Sequence, residues 1–296
     1  MLCGEYLVTI GTEALALPVR KGQWMHVWEF DSISENRLVW NAIDCKGNPW
    51  LNEIFQLPLH ESNEECIGER GVLLSMLKQV PSSFWAAQSS YRIETQLEFE
   101  RSSGLGSSST LISNFAHWTG LDAQRLQQSV FGGSGYDIAL AEVGKPLIFW
   151  LEKEQANWAP WKLDENLTSN WHLVFLGKKQ NSRSSLLEVK DCLQKIQSDN
   201  FLKQQLKQVS DAVKMAQEIP MLEAGLEMWQ ALLSMALGLK TPYQQFDILP
   251  IRGGLCKWLG AWGGDMLLVN QNFARKNAFF LEKYTVVSWN EWVINE

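Results

Sequence analysis

Apolar and polar residues alternate from Tyr91 to Phe99 (YRIETQLEF), which predicts a strand with one buried face. The next apolar set, Leu111, Phe115 and Trp118 within LISNFAHW, has helical spacing. Strand and helix are therefore joined by Arg101-Ser-Ser-Gly-Leu-Gly-Ser-Ser-Ser-Thr110. GQWMHVWEF and RLVWNAID alternate in the same way and predict hairpin-like strands around the polar DSISEN. The opening MLCGEYLVTIGTEALALPV predicts two short strands joined at Ile10-Gly11-Thr12, with Pro18 ending the second. Glu64 to Val80 has Ile67, Leu74 and Leu77 at helical spacing and is closed by Pro81. DAQRLQQSV predicts a further helix, with Asp122 as its N-terminal charge.

The second half follows a strand, PLIFW, and a polar, tryptophan-studded segment from Glu152 to Asn170. The domain boundary is expected in that segment, giving residues 1–165 and 166–296. WHLVFLG then predicts a strand, followed by helices over roughly 184–198, 200–218 and 221–238. The last of these is apolar on most faces, so it belongs in the centre of its domain. MLLV predicts a buried strand; a helix near 270–282 and the strand YTVVSW end the chain.

Hydrophobic residues make up 46% of the 296 positions and charged residues 20%, a globular composition. The net charge of −7 argues against a nucleic-acid binder that relies on a basic surface. No run has the length of a membrane span, and the N-terminus lacks the regions of a signal peptide. The five cysteines (Cys3, Cys45, Cys66, Cys192, Cys256) are scattered, with no CxxC, so reduced thiols in a cytoplasmic protein are expected and no zinc site. Of the fifteen tryptophans, Trp158, Trp161 and Trp171 suit a sugar-stacking platform or, more simply, core packing.

Three glycine-rich stretches carry candidate chemistry. In the first, Gly104 and Gly106 permit close approach of backbone to a ligand, because neither has a Cβ. The start of the following helix offers N–H groups and a positive dipole end to a phosphate. Ser107, Ser108, Ser109 and Thr110 add hydroxyls that can bond phosphate oxygens or ligate a metal. The same stretch also reads as a flexible serine/glycine loop with a good N-cap. In the second, Phe131-Gly-Gly-Ser-Gly-Tyr-Asp-Ile-Ala139, a tight turn presents the carboxylate of Asp137. That carboxylate would take a proton from a hydroxyl, or it serves only to form the turn. The third, Gly253 to Asp265, precedes an apolar strand and reads equally as a crowded crossover.

The first stretch is neither Walker A nor a dinucleotide fingerprint. It resembles the central Gly-Leu-Gly-Ser-Ser-Ala motif of the GHMP kinases, the superfamily of galactokinase and of homoserine, mevalonate and phosphomevalonate kinases. Ser134-Gly135-Tyr136-Asp137 resembles the segment that carries the proposed catalytic aspartate in mevalonate and phosphomevalonate kinases, and is nearest to the latter. Gly260-Ala261-Trp262-Gly263-Gly264-Asp265 is similar to the third motif, with Trp262 in place of a glycine. Gly4-Glu5-Tyr6 matches the second half of the opening motif, whose lysine has no counterpart in this sequence. By themselves Glu5 and Tyr6 read as a strand-end pair. The GYDIA wording with GAWGGD also resembles a bacterial subgroup placed near the mevalonate pathway.

The resemblance implies an α+β, two-domain GHMP kinase fold. Its N-terminal part is a mixed α/β domain with a left-handed βαβ unit, and its C-terminal part is a ferredoxin-like α+β domain. It implies an ATP-dependent small-molecule kinase with Mg²⁺, acting on mevalonate, phosphomevalonate or another hydroxylated acid or sugar. The implied partners are the small-molecule acceptor, no nucleic acid and no membrane, in a monomer or homodimer. Gly104, Leu105, Gly106, Ser107, Ser108, Ser109 and Thr110 would wrap the nucleotide phosphates, with Ser108 holding the metal. Asp137 would be the base; Glu5, Tyr6, Ser134, Gly135, Gly263, Gly264 and Asp265 would lie on the substrate side. GKKQNSRSSL resembles a Ser/Thr-rich loop of the mevalonate-pathway members; its Lys178, Lys179 and Arg183 would meet substrate charge or form a solvated basic loop. Many relatives add a glutamate on the helix before the aspartate, whereas Arg125-Leu-Gln-Gln128 has no carboxylate. A member that binds a nucleotide or isoprenoid precursor without phosphoryl transfer is the alternative.

Overall fold

The computed structural model describes residues 1–31, 36–59, 67–86, 88–178, 182–260, 262 and 264–296, with backbone only at 182 and 183. The chain divides into two compact units. One comprises Lys21–Arg101 with Gly106–Glu142; the other comprises Met1–Arg20, Ser102–Leu105 and Val143–Glu296.

The first twenty residues correct the expected pair of strands. A 3₁₀ turn, Leu7–Ile10, precedes the short strand β1 (Ala14–Ala16). Only a single bridge, Cys3 with Leu15, survives of the other strand. The cause is local: Gly4 has φ +102° and Tyr6 φ +61°, so the backbone turns where a strand would run on. A Cβ on Gly4 would stand 2.5 Å from Ala14 Cα, so the return of the chain onto β1 needs a glycine there.

The unit containing Lys21 is a four-stranded sheet with helices on one face. Its strands are β2 (Gln23–Asp31), β3 (Arg37–Ile43), β4 (Pro49–Gln56) and β5 (Ser89–Leu97), in the order β2-β5-β3-β4. β2 and β3 do not form the expected hairpin. Both flank β5, β2 antiparallel to it and β3 parallel. Period-2 alternation sets which face of a strand is buried but not its neighbour. β5 takes the central place because Tyr91, Ile93, Thr95 and Leu97 are all buried. β4 was not foreseen. Helices α1 (Gly68–Leu77), α2 (Ser107–Thr119), α3 (Ala123–Val130) and α4 (Tyr136–Val143) complete the unit. Ile112, Phe115 and Ala116 of α2 and Leu126 of α3 join Trp40, Ile93 and their neighbours in one core. Each large side chain so buried contributes roughly 1.5–3 kcal/mol. Asp122 caps α3 through a 2.8 Å bond from the Arg125 N–H.

The other unit holds two sheets. β1 pairs with β6 (Leu147–Glu152), and β6 with β7 (Gln155–Pro160), a strand within the polar segment where none was foreseen. The short helix α5 (Glu165–Thr168) precedes β8 (Trp171–Phe175), which is followed by α6 to α9. These are α6 (Ser182–Glu188), α7 (Lys190–Ser198), α8 (Asn200–Lys214) and α9 (Ile219–Leu237), so the first of the three expected helices is two. β9 (Cys256–Leu259), also unforeseen, and β10 (Met266–Asn270) precede two short helices, Gln271–Lys276 and Ala278–Leu281, and β11 (Thr285–Ser288). The order β11-β8-β10-β9 is fully antiparallel, the ferredoxin-like arrangement. Leu222, Leu226, Trp229 and Leu233 bury one face of α9 in this unit's core, whereas Met221, Met228 and Met235 are exposed, so the helix is less central than its apolar composition predicts. Trp171 is buried there too, edge-on to Trp289, whereas Trp158 is exposed. No helix among the described residues is long and apolar enough to cross a membrane.

Candidate functional site

The strand–loop–helix junction forms as the sequence predicts, with α2 beginning at Ser107. Its N-cap is Gly106, at φ +77°, and this residue supplies no side-chain hydrogen bond to the first turn. An uncapped helix start with left-handed backbone before it leaves N–H groups and the dipole end for an anion. Ser107 and Ser108 are half-buried and Ser109 is buried. The Thr110 hydroxyl is committed to the fold: it donates to Gln23 Oε1 at 2.8 Å and lies within bonding distance of the Gly106 and Ser107 carbonyls.

The second stretch comes to the same place. Asp137 is the second residue of α4, so its turn becomes the first turn of a helix. A Cβ on Gly106 would lie 4.0 Å from Asp137 Cγ, which sets the carboxylate beside the α2 N-terminus. Burial pushes the Asp137 carboxyl above its ordinary value, against a lowering hydrogen bond with the Tyr136 side chain. The preceding turn is tied to α3. Gln124 Nε2 donates to the Gly135 carbonyl at 3.0 Å, and Gln127 Nε2 to that of Gly132 at 3.1 Å. Gly135 has φ +76°, a backbone conformation that favours glycine, and a Cβ there would make the end of the Gln124 side chain, 2.0 Å away at Oε1, shift. Ser134 is half-buried in this turn. The two glutamines were not foreseen as site supports; their spacing on one face of a helix is the only signal the sequence offers.

The third stretch lies in the other unit, as do Ser102–Leu105 of the loop. There Gly104 sits against Asp265, which is buried and whose carbonyl accepts from the Leu176 N–H at 3.1 Å. Leu105 packs on this unit's core. Gly264 is buried beside Asp265, whereas Ala261 and Gly263 fall outside the described residues. Trp262 is buried, and its backbone N–H donates to the Tyr6 hydroxyl at 2.8 Å. Burial raises the Tyr6 phenol, the Trp262 bond lowers it, and the nearby Glu5 charge raises it again.

Glu5 is buried with both oxygens engaged. Lys257 Nζ pairs with Oε1, and Trp229 Nε1 donates to Oε2 at 2.7 Å. Lys257 is itself fully buried on β9 and also donates to the Trp258 carbonyl at 2.8 Å. The turn carrying Glu5 and Tyr6 is thus fastened to α9, β9 and Trp262. Lys257 was not foreseen; a lone lysine within the apolar CKWL was its only signal. Lys178 is exposed; Lys179 lies outside the described residues, as does the Arg183 side chain.

No protein-family profile and no curated protein sequence matches the chain. Solved structures do match, over nearly all its length. Methanococcus jannaschii mevalonate kinase aligns at 18% identity with a TM-score of 0.68, covering 97% of this chain and 93% of that one. Streptococcus pneumoniae phosphomevalonate kinase, solved with phosphomevalonate and AMPPNP, aligns at 13% identity and TM-score 0.61, covering 97% of each chain. Lactococcus lactis galactokinase, solved with galactose, aligns at 11% identity and TM-score 0.59, covering all of this chain and 91% of that one. Strand order, loop placement and these alignments agree, and the chain has the GHMP kinase fold.

Proposed function

We propose that the protein is an ATP-dependent small-molecule kinase, transferring the γ-phosphate to a hydroxyl or phosphate acceptor. The observation that carries the reading is the placement of Asp137 beside Gly106, at the uncapped start of α2. In this reading the N–H groups at the start of α2 and the half-buried hydroxyls of Ser107 and Ser108 hold the nucleotide phosphates. The Asp137 carboxylate takes the proton of an acceptor hydroxyl as its oxygen bonds to the γ-phosphorus and ADP leaves; with a phosphate acceptor it orients the attacking oxygen. A carboxyl raised above its ordinary value is a better base than an exposed aspartate. The remaining catalysis is positioning and charge stabilisation.

The Ser108 hydroxyl is a hard oxygen donor of the kind Mg²⁺ takes, and substrate phosphates would supply further oxygens. Ser108 would supply one oxygen, and the ion would draw charge off the transferring group. In this reading Gly135 and Ser134 shape the turn before Asp137, and Gly264 and Asp265 shape the turn beside Gly104. Glu5 and Tyr6 contribute through position, since the carboxylate oxygens of Glu5 and the hydroxyl of Tyr6 are already engaged. Mevalonate and phosphomevalonate lead the candidate acceptors, because kinases of both kinds share the fold over nearly the full chain and the second motif is worded like theirs.

One observation favours a second reading. The α3 segment Arg125–Gln128 offers no carboxylate to a metal, as a protein that binds without transferring phosphate would allow. A screen of ADP formation from ATP and Mg²⁺, with mevalonate, phosphomevalonate and sugar acceptors, separates the two. Acceptor-dependent ADP formation is expected; nucleotide binding without turnover on any acceptor establishes the second reading.

A further inference from the structure

The helix-free face of the β2-β5-β3-β4 sheet carries a feature that phosphoryl transfer does not use. β2 is an edge strand, with β5 as its one strand neighbour among the described residues. Its odd-numbered side chains Met25 and Val27 pack on the core, and its even-numbered ones point away. The outward set is aromatic throughout: Trp24, His26, Trp28 and Phe30. Trp24 is 59% exposed, Trp28 40% and Phe30 50%. Arg92 of β5 stacks on Trp28, 5.3 Å from its ring centre, and extends the patch inward.

The backbone of this edge is also unused. The Glu98 N–H donates to the Gly22 carbonyl at 3.0 Å, which makes the even-numbered residues of β2 the set bonded to β5. Odd-numbered residues therefore turn their N–H and C=O outward. Asn114 covers the carbonyl of Gln23 at 2.7 Å. For Met25, Val27 and Glu29 no partner occurs among the described residues. A long edge with open ladder groups and exposed aromatic side chains is a template for another strand.

The sequence of the strand indicates which one. About Val27, β2 is self-complementary: antiparallel pairing with a two-fold copy sets Trp24 opposite Phe30 and His26 opposite Trp28 on the outer face. Glu29 falls opposite Met25, and Asp31 opposite Gln23, so no two carboxylates meet. A parallel pairing in register places Glu29 on Glu29 and Asp31 on Asp31, and like charges directly opposite are destabilising. Val27, Met25 and Glu29 have the outward ladder groups that this register requires. Pairing leaves the outer faces of the rings open but sets Trp24 beside Phe30 and His26 beside Trp28, cross-strand aromatic pairs of the kind that stabilise a sheet.

We infer that β2 is a homodimer interface, in which two chains pair antiparallel about Val27 to make one continuous eight-stranded sheet. The inference is independent of the proposed activity. It is tested by sedimentation or light scattering of the full chain from low to high micromolar concentration. Wild type should be dimeric, and Phe30→Glu and Trp24→Arg should each weaken the dimer at least about tenfold. The double variant Trp24→Arg/Phe30→Glu should restore it, because the register places each new charge opposite its counter-ion on the other copy. Far-UV circular dichroism checks that each variant is folded. A wild-type chain that is monomeric throughout overturns the inference. So does a dimer indifferent to both single changes, or one that both abolish and the double change fails to recover.

Discussion

Asp265 lies so close to Gly104 that a Cβ built on the glycine would stand 2.6 Å from both its Cβ and its Cγ. The glycine also has φ +72°, so close approach and backbone conformation demand the same residue. Gly106, two positions on, has φ +77° but only Asp137 within 4 Å, at ordinary contact distance.

The two glycines should therefore fail differently. Gly104→Ala meets an aspartate held in a buried turn and should lose roughly 1–3 kcal/mol of stability, the range for overpacking. Gly106→Ala carries the left-handed backbone cost alone, about 1–2 kcal/mol. Its methyl would enter the space assigned to phosphate, so its larger effect should be on ATP affinity. Urea unfolding and nucleotide titration on both variants check this; equal ATP affinity in wild type and a folded Gly106→Ala variant would remove the loop from the binding site.

Asp137→Asn separates chemistry from stability. The folded pKa of this carboxyl stands above the ordinary 3.8, so between the two values the folded chain binds more protons than the unfolded chain. Stability from this group is thus present below the unfolded pKa and is lost as pH rises through the folded one. The amide carries no such cost, and at neutral pH the variant should melt at or above the wild-type temperature. Turnover should fall by ~10²–10⁴-fold. The wild-type rate should fall on acidification at a pH above that of an ordinary aspartate. A fully active Asp137→Asn protein would assign the base to another residue.

Ser108→Ala tests the metal. If the hydroxyl is a ligand, the variant should need more Mg²⁺ for half-maximal rate, and raised Mg²⁺ should recover part of the loss. A defect of the same size at every Mg²⁺ concentration would point to phosphate contact alone.

Glu5→Gln leaves Lys257 charged and buried without its counter-ion. Breaking such a pair from one side costs about 3–5 kcal/mol, whereas replacing both members by apolar residues is often neutral. Glu5→Gln should therefore be more destabilising in urea than Glu5→Leu combined with Lys257→Met. The reverse order would show that the pair does not hold the N-terminal turn.

Elements whose evidence lies within one stretch were legible. β5 and α2 follow from their periods, α3 from its period and the Asp122 cap, and α9 from its apolar length. The loop from Gly104 to Thr110 was legible because strand, glycines and helix are contiguous. What failed was partner choice. The alternation of β2 and β3 told which side chains turn inward, but not that β5 would lie between them. The Glu152–Asn170 segment read as polar because β7 leaves much of its length exposed.

The sequence by itself determined the order of three glycine-rich turns and the chemistry each can offer, since those depend on residue type and immediate neighbours. Tertiary structure alone decided that Asp137 stands beside Gly106, that Gln124 fastens the turn through the Gly135 carbonyl, and that Glu5 pairs with Lys257, 252 positions away. The reason is physical: hydrophobic periodicity is a local property, but a buried charge must find its counter-ion wherever the packed chain brings one. No spacing rule within the opening turn reveals that its ion-pair partner lies on β9.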